Sequence, residues 1–264
     1  MLLRCTCRVA GGPSASAVAA GLGVAPSSRS ACEVIVLGLD TAANACSAAV
    51  WSNSVVLAHE CVAMRRGHTE ALIPMVRRVL AATAAGFSDL DLVGVTVGPG
   101  AFTGLRVGLA AARGIALAAN VPCIGVTTLE AIAAAVQRRE RDGRIVLVAL
   151  DTRRGDFYAQ VFSAEGTGLA PPQTVDAAAL CDLLDAREAL VAGDARAAAV
   201  AVLRDAGIAA ESVAGSDHAD AGVVAAMAAC RFLAGGDIDP QRPLPLYVRR
   251  PEATIAAGGG RRRP

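Results

Sequence analysis

The spacing of apolar positions changes several times along the chain, and each change marks an element. Residues 34–40 (Val-Ile-Val-Leu-Gly-Leu-Asp) are a continuous apolar run closed by an acid, the pattern of a strand buried on both faces. Residues 45–51 and 55–61 read as two further strands, with Asp40-Thr41-Ala42 and Ser52-Asn53 as the turns between them, so the opening is antiparallel. Residues 71–82 switch to helical spacing. Leu72, Met75 and Val79 fall along one side, with Ile73, Val76 and Leu80 beside them, which gives a broad apolar face. A short strand at 92–97, a breaker-free Ala-rich helix at 105–119 and a strand at 121–125 follow. Thr127 and Thr128 with Glu130 then start a helix that runs to about residue 139. No apolar run reaches transmembrane length with convincing flanks.

Residues 137–144 carry six charges in eight positions and mark an internal boundary. Beyond it the pattern restarts. Residues 144–152 resemble residues 33–41, so that Asp151-Thr152 echoes Asp40-Thr41, and Val161-Phe162 echoes Val50-Trp51, all at an offset of 111. This reads as a tandem duplication. In the second half, 176–184 and 195–206 are helical, 189–192 is a strand, 221–234 is a small-residue helix, and prolines keep 244–249 extended. The organisation expected is an extension at 1–32, lobes at 33–140 and 144–250, and a loose tail at 251–264. Two βββαβα halves meeting face to face form an α/β fold of the duplicated ribonuclease-H-like, actin/Hsp70-like kind, each lobe a mixed sheet flanked by helices. In such a fold Asp40, Thr41 and Asp151 lie at first-strand ends facing the interlobe cleft, where carboxylates position magnesium and phosphate. The alternative is that each aspartate caps its own turn.

Composition narrows the chemistry. The 264 residues are 54% hydrophobic, enough for a sizeable core. All 25 basic residues are arginine, so neither a Schiff-base lysine nor a Walker A lysine is available. Residues 33–250 hold 19 arginines against 23 acids, a net of −4. That balance, with aromatics at 3%, argues against a body that grips RNA by itself. The eight cysteines are dispersed, which fits small buried thiols in a reducing cytoplasm. Cys5-x-Cys7 lacks a second pair and is not expected to hold metal. Only His59, His68 and His218 are present, with Leu72 four residues after His68, so no helix offers paired imidazoles to an ion and no metal is expected.

The densest motif is Gly98-Pro99-Gly100-Ala101-Phe102-Thr103-Gly104-Leu105-Arg106, set between strand and helix. So many glycines imply either an anion cradle before a helix capped by Thr103, or a tight turn where another backbone comes close. On the second reading Arg106 pairs with a carboxylate or caps a strand end.

Taken together, Leu39-Asp40-Thr41-Ala42 with Cys46-Ser47, His68-Thr69, the glycine loop through Gly108, Gly125 to Glu130, Asp151-Thr152-Arg153 and Pro245-Leu246-Tyr247-Val248-Arg249 resemble the bacterial TsaB (YeaZ) family of tRNA threonylcarbamoyladenosine biosynthesis proteins. The resemblance runs from residue 34 to about 250, departs at Ala101, where the family usually has serine, and leaves residues 1–32 without a counterpart. It implies a cytoplasmic, non-catalytic paralogue of TsaD, the subunit that transfers the threonylcarbamoyl group to tRNAs reading codons that begin with A. It implies pairing with TsaD through the N-terminal lobe, a ternary complex with the ATPase TsaE, and a homodimer when alone. It also implies tRNA contact only through the complex and no membrane. The catalytic metal then belongs to TsaD, and weak ATP or ADP binding in the interlobe cleft stays open. On this resemblance Leu72, Met75 and Val79 are expected to meet the partner, with His68 at the edge, while Ile73, Val76 and Leu80 face the core. Two enzymatic alternatives remain. A sugar or acetate kinase would need glycine where Ala42 stands. A peptidase acting on the partner would need a histidine beside Ser47 or a cysteine.

Overall fold

A computed structural model describes residues 34–215, 217–235 and 243–249. The expected extension at 1–32, the Cys5-x-Cys7 pair and the tail at 251–264 lie outside the described residues.

Strands β1 (Val36–Asp40), β2 (Ala45–Ser52) and β3 (Val55–Ala63) pair antiparallel, and β4 (Leu92–Thr96) and β5 (Cys123–Val126) extend the sheet in parallel, in the order β3-β2-β1-β4-β5. The second lobe repeats this plan with β6 (Ile145–Asp151), β7 (Phe157–Phe162), β8 (Gln173–Val175), β9 (Ala189–Ala192) and β10 (Ala210–Ser212), in the order β10-β9-β6-β7-β8. The duplication is therefore one of topology. Its hairpins differ by one residue: Trp51 pairs with Val36, whereas Val161 pairs with Leu147. The offset of 111 holds along the first strands and becomes 110 across the second, because the β6–β7 connection is tighter.

Helices α1 (His68–Ala82) and α2 (Phe102–Ala119) cover the outer face of the first sheet. After α3 (Thr128–Ala135) and the short α4 (Arg138–Arg141), helices α5 (Ala177–Asp182) and α6 (Arg196–Asp205) cover the outer face of the second. Between the sheets lie α3 and α7 (Ala221–Leu233). The two are exchanged between lobes. Helix α3 leaves the first lobe and packs on β6 and β7, while α7 comes from the end of the second and packs on β1, β2 and β4. Leu92, Ile124, Leu129, Ile132, Val148, Leu190 and Val224 thus belong to one continuous core.

Local chemistry places both central helices. Thr127 and Glu130 form the expected capping box, Thr127 Oγ1 accepting from the Glu130 amide at 3.1 Å and Glu130 accepting from the Thr127 amide at 3.0 Å. Burial alone would raise the Glu130 carboxyl, but Arg231 of α7, 3.0 Å away, and the Thr127 bonds hold it below its ordinary value. Arg141, from the charge run read as a boundary, is buried and donates to the carbonyls of Ala133, Val136 and Ala164. It satisfies the open end of α3 and ties it to the turn after β7.

The sequence placed Leu72, Met75 and Val79 on a partner-facing side, and the structure corrects this. All three are at most 3% exposed and share one stripe of α1 with Val76 and Leu80, packed on β2 and β3, while Ile73 points outward at 43% exposure. Positions 72, 75, 76, 79 and 80 are a single i, i+3, i+4, i+7, i+8 face, not two. No apolar run of transmembrane length with convincing flanks is expected from the sequence, and one helix among the described residues reaches that length. Helix α2, at 18 residues, is long and apolar enough by length and composition, and it is only 39% buried. It packs along β4 as part of the lobe.

Helix α7 reaches the sheet only because Gly38 has no side chain. A β-carbon there would collide with the Ala221 carbonyl, and at Gly94 one would fall 2.8 Å from Ala228 Cβ. Gly38→Ala should therefore cost about 2 kcal/mol or more in urea unfolding. Gly114→Ala, mid-helix with nothing within 4 Å of the added carbon, should gain up to about 1 kcal/mol. Equal effects of the two would contradict this packing.

Candidate functional site

The glycine loop leaves β4 through Gly98, at φ +110, and enters α2 at Phe102. Its glycines admit another backbone. The Ala101 amide donates to the Ala42 carbonyl at 2.7 Å, and Thr41 Oγ1 donates to the Gly104 carbonyl at 2.8 Å. A β-carbon on Gly100 would collide with the Ala42 carbonyl, and one on Gly104 with that of Thr41. The β1–β2 turn thus occupies the space over the loop's glycines, in accord with the packing reading. Thr103 does not cap α2. The helix begins at Phe102 with Ala101 as its cap residue, and no side chain bonds to its first turn. Arg106 meets neither a carboxylate nor a strand end. Its guanidinium lies 3.7 Å over the Phe102 ring, and Nε donates to the Tyr247 hydroxyl at 3.3 Å. Phe102 and Tyr247 pack with ring centroids 5.5 Å apart. The C-terminal segment is fastened to the same loop by the Leu246 amide, which donates to the Val97 carbonyl at 2.7 Å.

Of the three expected cleft residues, only Asp151 is open. Asp40 and Thr41 are buried. Asp40 Oδ1 accepts from Thr96 Oγ1 at 2.7 Å and from the Ala42 amide at 3.1 Å, while Oδ2 has no partner. Burial outweighs these bonds and pushes the carboxyl up to about 7. Asp151 is exposed, and its Oδ1 accepts from the Arg153 amide at 2.7 Å. The cleft has a volume of about 470 Å³ and is bordered by Asp151, Arg153, Tyr158, Asp194, Tyr247 and Arg249. Asn44 reaches across it: Arg153 Nη2 donates to Asn44 Oδ1 at 2.6 Å, and Asn44 Nδ2 to Asp194 Oδ2 at 3.4 Å. Burial, with the nearby Asp151 charge, raises the Asp194 carboxyl. Asn44 and Asp194 escaped the sequence reading; the only signal was Gly193-Asp194 directly after a strand. Among the described residues no group of three or more histidine, cysteine or acidic side chains is arranged to hold a metal ion.

The structure also joins residues that spacing kept apart. His59 Nε2 lies 2.7 Å from Asp220, which accepts from the first amides of α7, and Cys61 Sγ lies 3.5 Å from His218 Nε2. Burial pulls the His218 imidazole below its ordinary value. His59 sits above its own, because Asp220 outweighs the effect of burial. Ser47 is buried, its Oγ accepting from the Ala221 amide at 3.2 Å. Cys46 is pushed up to about 12 by burial, which suppresses its thiolate. These contacts fasten the start of α7 to β2 and β3; among the described residues Ser47 has no imidazole beside it, whereas Cys61 does, in His218.

Asp40 gives a pH test. Its folded value of about 7 lies above the unfolded value of 3.8, so the native state holds the extra proton between them. Stability from this group is full below pH 4 and falls, by up to about 1.4 kcal/mol per pH unit, as pH rises towards 7. Asp40→Asn should remove that slope. Urea unfolding at pH 4.5, 6 and 7.5 should show the variant gaining on the parent as pH rises; a constant difference would contradict the burial account.

Comparison with known proteins gives a consistent picture. Residues 61–186 match the family model "TsaD: tRNA N6-adenosine threonylcarbamoyltransferase". The tRNA threonylcarbamoyladenosine biosynthesis protein TsaB of Escherichia coli K12 is 33% identical over 159 residues, covering 60% of this chain and 68% of that protein. TsaB of Buchnera aphidicola (subsp. Schizaphis graminum) is 32% identical over 47% of this chain and 58% of its own length. An uncharacterised Mycobacterium tuberculosis protein is 36% identical over 83% and 93%. Among solved structures, a Pseudomonas aeruginosa protein described as similar to peptidase YEAZ superposes with a TM-score of 0.68 at 25% identity, covering 82% of this chain and all of that one.

Proposed function

The chain belongs to the TsaB family, and from that premise we propose that it works as the non-catalytic partner of a TsaD-type transferase in making threonylcarbamoyladenosine in tRNA. It binds TsaD through the outer face of α1 and α2, with TsaE joining the pair, a second copy covering the same face when TsaD is absent, and tRNA reached only through the complex. The cleft carries no chemistry of its own on this reading, and ATP or ADP binds there weakly if at all.

The observation that carries the proposal is the exposed apolar surface of α1 and α2. Helix α2 is apolar enough to be a core helix, yet only 39% of it is buried. Ile73 is 43% exposed and Leu117 84%, and Pro74 and Ala110 are exposed with them. A groove of about 510 Å³ runs between the helices, bordered by Ile73, Phe102, Arg106, Val107 and Ala110. Apolar surface gathered in this way is stabilised by being covered. The docked β1–β2 turn supports the non-catalytic part. A sugar or acetate kinase needs phosphate to approach the backbone after the first strand, and here that approach is taken by the glycine loop.

The experiment is co-purification with TsaD. Ile73→Glu combined with Leu117→Glu should leave a folded monomer and weaken pairing by at least about 2 kcal/mol, roughly thirtyfold. Met75→Glu should instead unfold the lobe, because that side chain is core. Normal pairing by a folded double variant would remove this face from the interface.

A further inference from the structure

The contacts that fasten α7 include one pair of groups whose chemistry the role just given does not use. Cys61 Sγ, on β3, lies 3.5 Å from Nε2 of His218, in the segment that leads into α7. Strand β3 is the edge of its sheet, and both residues are half-buried, which leaves the sulfur within reach of a small molecule. The other described cysteines are placed differently. Cys46 and Cys123 are buried and pushed up to about 12 by that burial, and burial also raises Cys230. Cys181, half-buried like Cys61, donates to the Ala177 carbonyl at 3.5 Å. Burial keeps the His218 imidazole towards its neutral form, in which Nε2 can accept the thiol proton. Once protonated, the ring is favoured by the carboxylates of Asp220 and Asp194 and opposed by His59. Asp217 precedes it in the chain. Glu60, next to Cys61 on β3, is engaged by Arg78 of α1 at 2.7 Å.

We propose that Cys61 and His218 form a reactive thiol site whose substrates are low-molecular-weight disulfides. A nucleophile within reach of its base is the arrangement that activates a thiol. The Cys61 thiol passes its proton to His218 Nε2, and the thiolate attacks one sulfur of R–S–S–R. A new S–S bond joins Cys61 to one R–S group as the old bond breaks. The departing thiolate takes the proton back from the imidazolium. One thiol and one disulfide enter and one of each leaves, so no further oxidant is needed. Acyl transfer is disfavoured, because it needs unengaged donors for an oxyanion. The nearby amides of α7 are already taken, Ala221 by Ser47 and Gly222 and Val223 by Asp220.

The test is alkylation of the full chain by iodoacetamide, followed by peptide mass spectrometry that reads each cysteine separately. At pH 7 Cys61 should react at least about tenfold faster than Cys181 in the same sample. An ordinary thiol slows about tenfold per pH unit below its pKa, whereas Cys61 should slow less than about threefold from pH 8 to pH 7. His218→Gln should slow Cys61 by at least about tenfold and restore the ordinary slope. The comparison with Cys181 within the parent decides the matter even where that variant is less stable. Oxidised glutathione should then form a mixed disulfide at Cys61 ahead of Cys181. Equal rates at Cys61 and Cys181, an ordinary pH slope in the parent, or no glutathione adduct at Cys61 would overturn the proposal. Sustained turnover of p-nitrophenyl acetate that Cys61→Ser abolishes would overturn it in favour of acyl transfer.

Discussion

The docking of the Thr41–Ala42 turn onto the glycine loop is the contact on which most of this structure depends. Two hydrogen bonds hold it, and Gly100 and Gly104 allow it because any side chain there would collide with the turn's carbonyls. It sets where α2 begins, and so which side of α2 meets β4 and which meets solvent. It also encloses Asp40 with Thr96 at the sheet end. The same contact that removes a phosphate approach to the first strand therefore fixes the helix on which the proposed partner face stands.

The two lobes share a topology and have diverged in chemistry. At the end of β1 the carboxylate is buried and raised; at the end of β6 it is exposed and accepts from its own turn. A duplicated cleft with one end closed is poorly suited to holding a metal nucleotide between matched aspartates. The exchange of α3 and α7 between sheets keeps the lobes together through one core. The cross-cleft contacts of Asn44 add to that attachment, as does the Leu246 amide, which donates to the Val97 carbonyl. A chain built in this way can act as a rigid platform, which is what the TsaB-family reading requires of it.

Much of the architecture was legible in the sequence because periodicity and turn chemistry are local. The strand at Ala189–Ala192, the Thr127–Glu130 cap and the repeat of Asp40-Thr41 by Asp151-Thr152 all come from neighbouring residues. What was misread depended on the third dimension. The stripe of α1 was divided into two faces, because six apolar residues in nine positions fit more than one arc and only the sheet decides between them. Arg106 was matched to a charge, although its partners are a ring four residues back and a tyrosine 141 residues on. Asp40 was placed in the open cleft because its equivalence to Asp151 was visible, whereas the loop that covers it is more than fifty residues away in sequence. The pairing of Cys61 with His218 had no sequence signal, since the two are 157 residues apart.

The central claim is that the outer face of α1 and α2, rather than the cleft, meets TsaD. Amide hydrogen exchange of the chain, alone and with saturating TsaD, tests it directly. The account predicts added protection in residues 73–82 and 107–118, with little change in 151–158 and around Asp194. Protection confined to the cleft segments, with both helices exchanging as in the free chain, would contradict it.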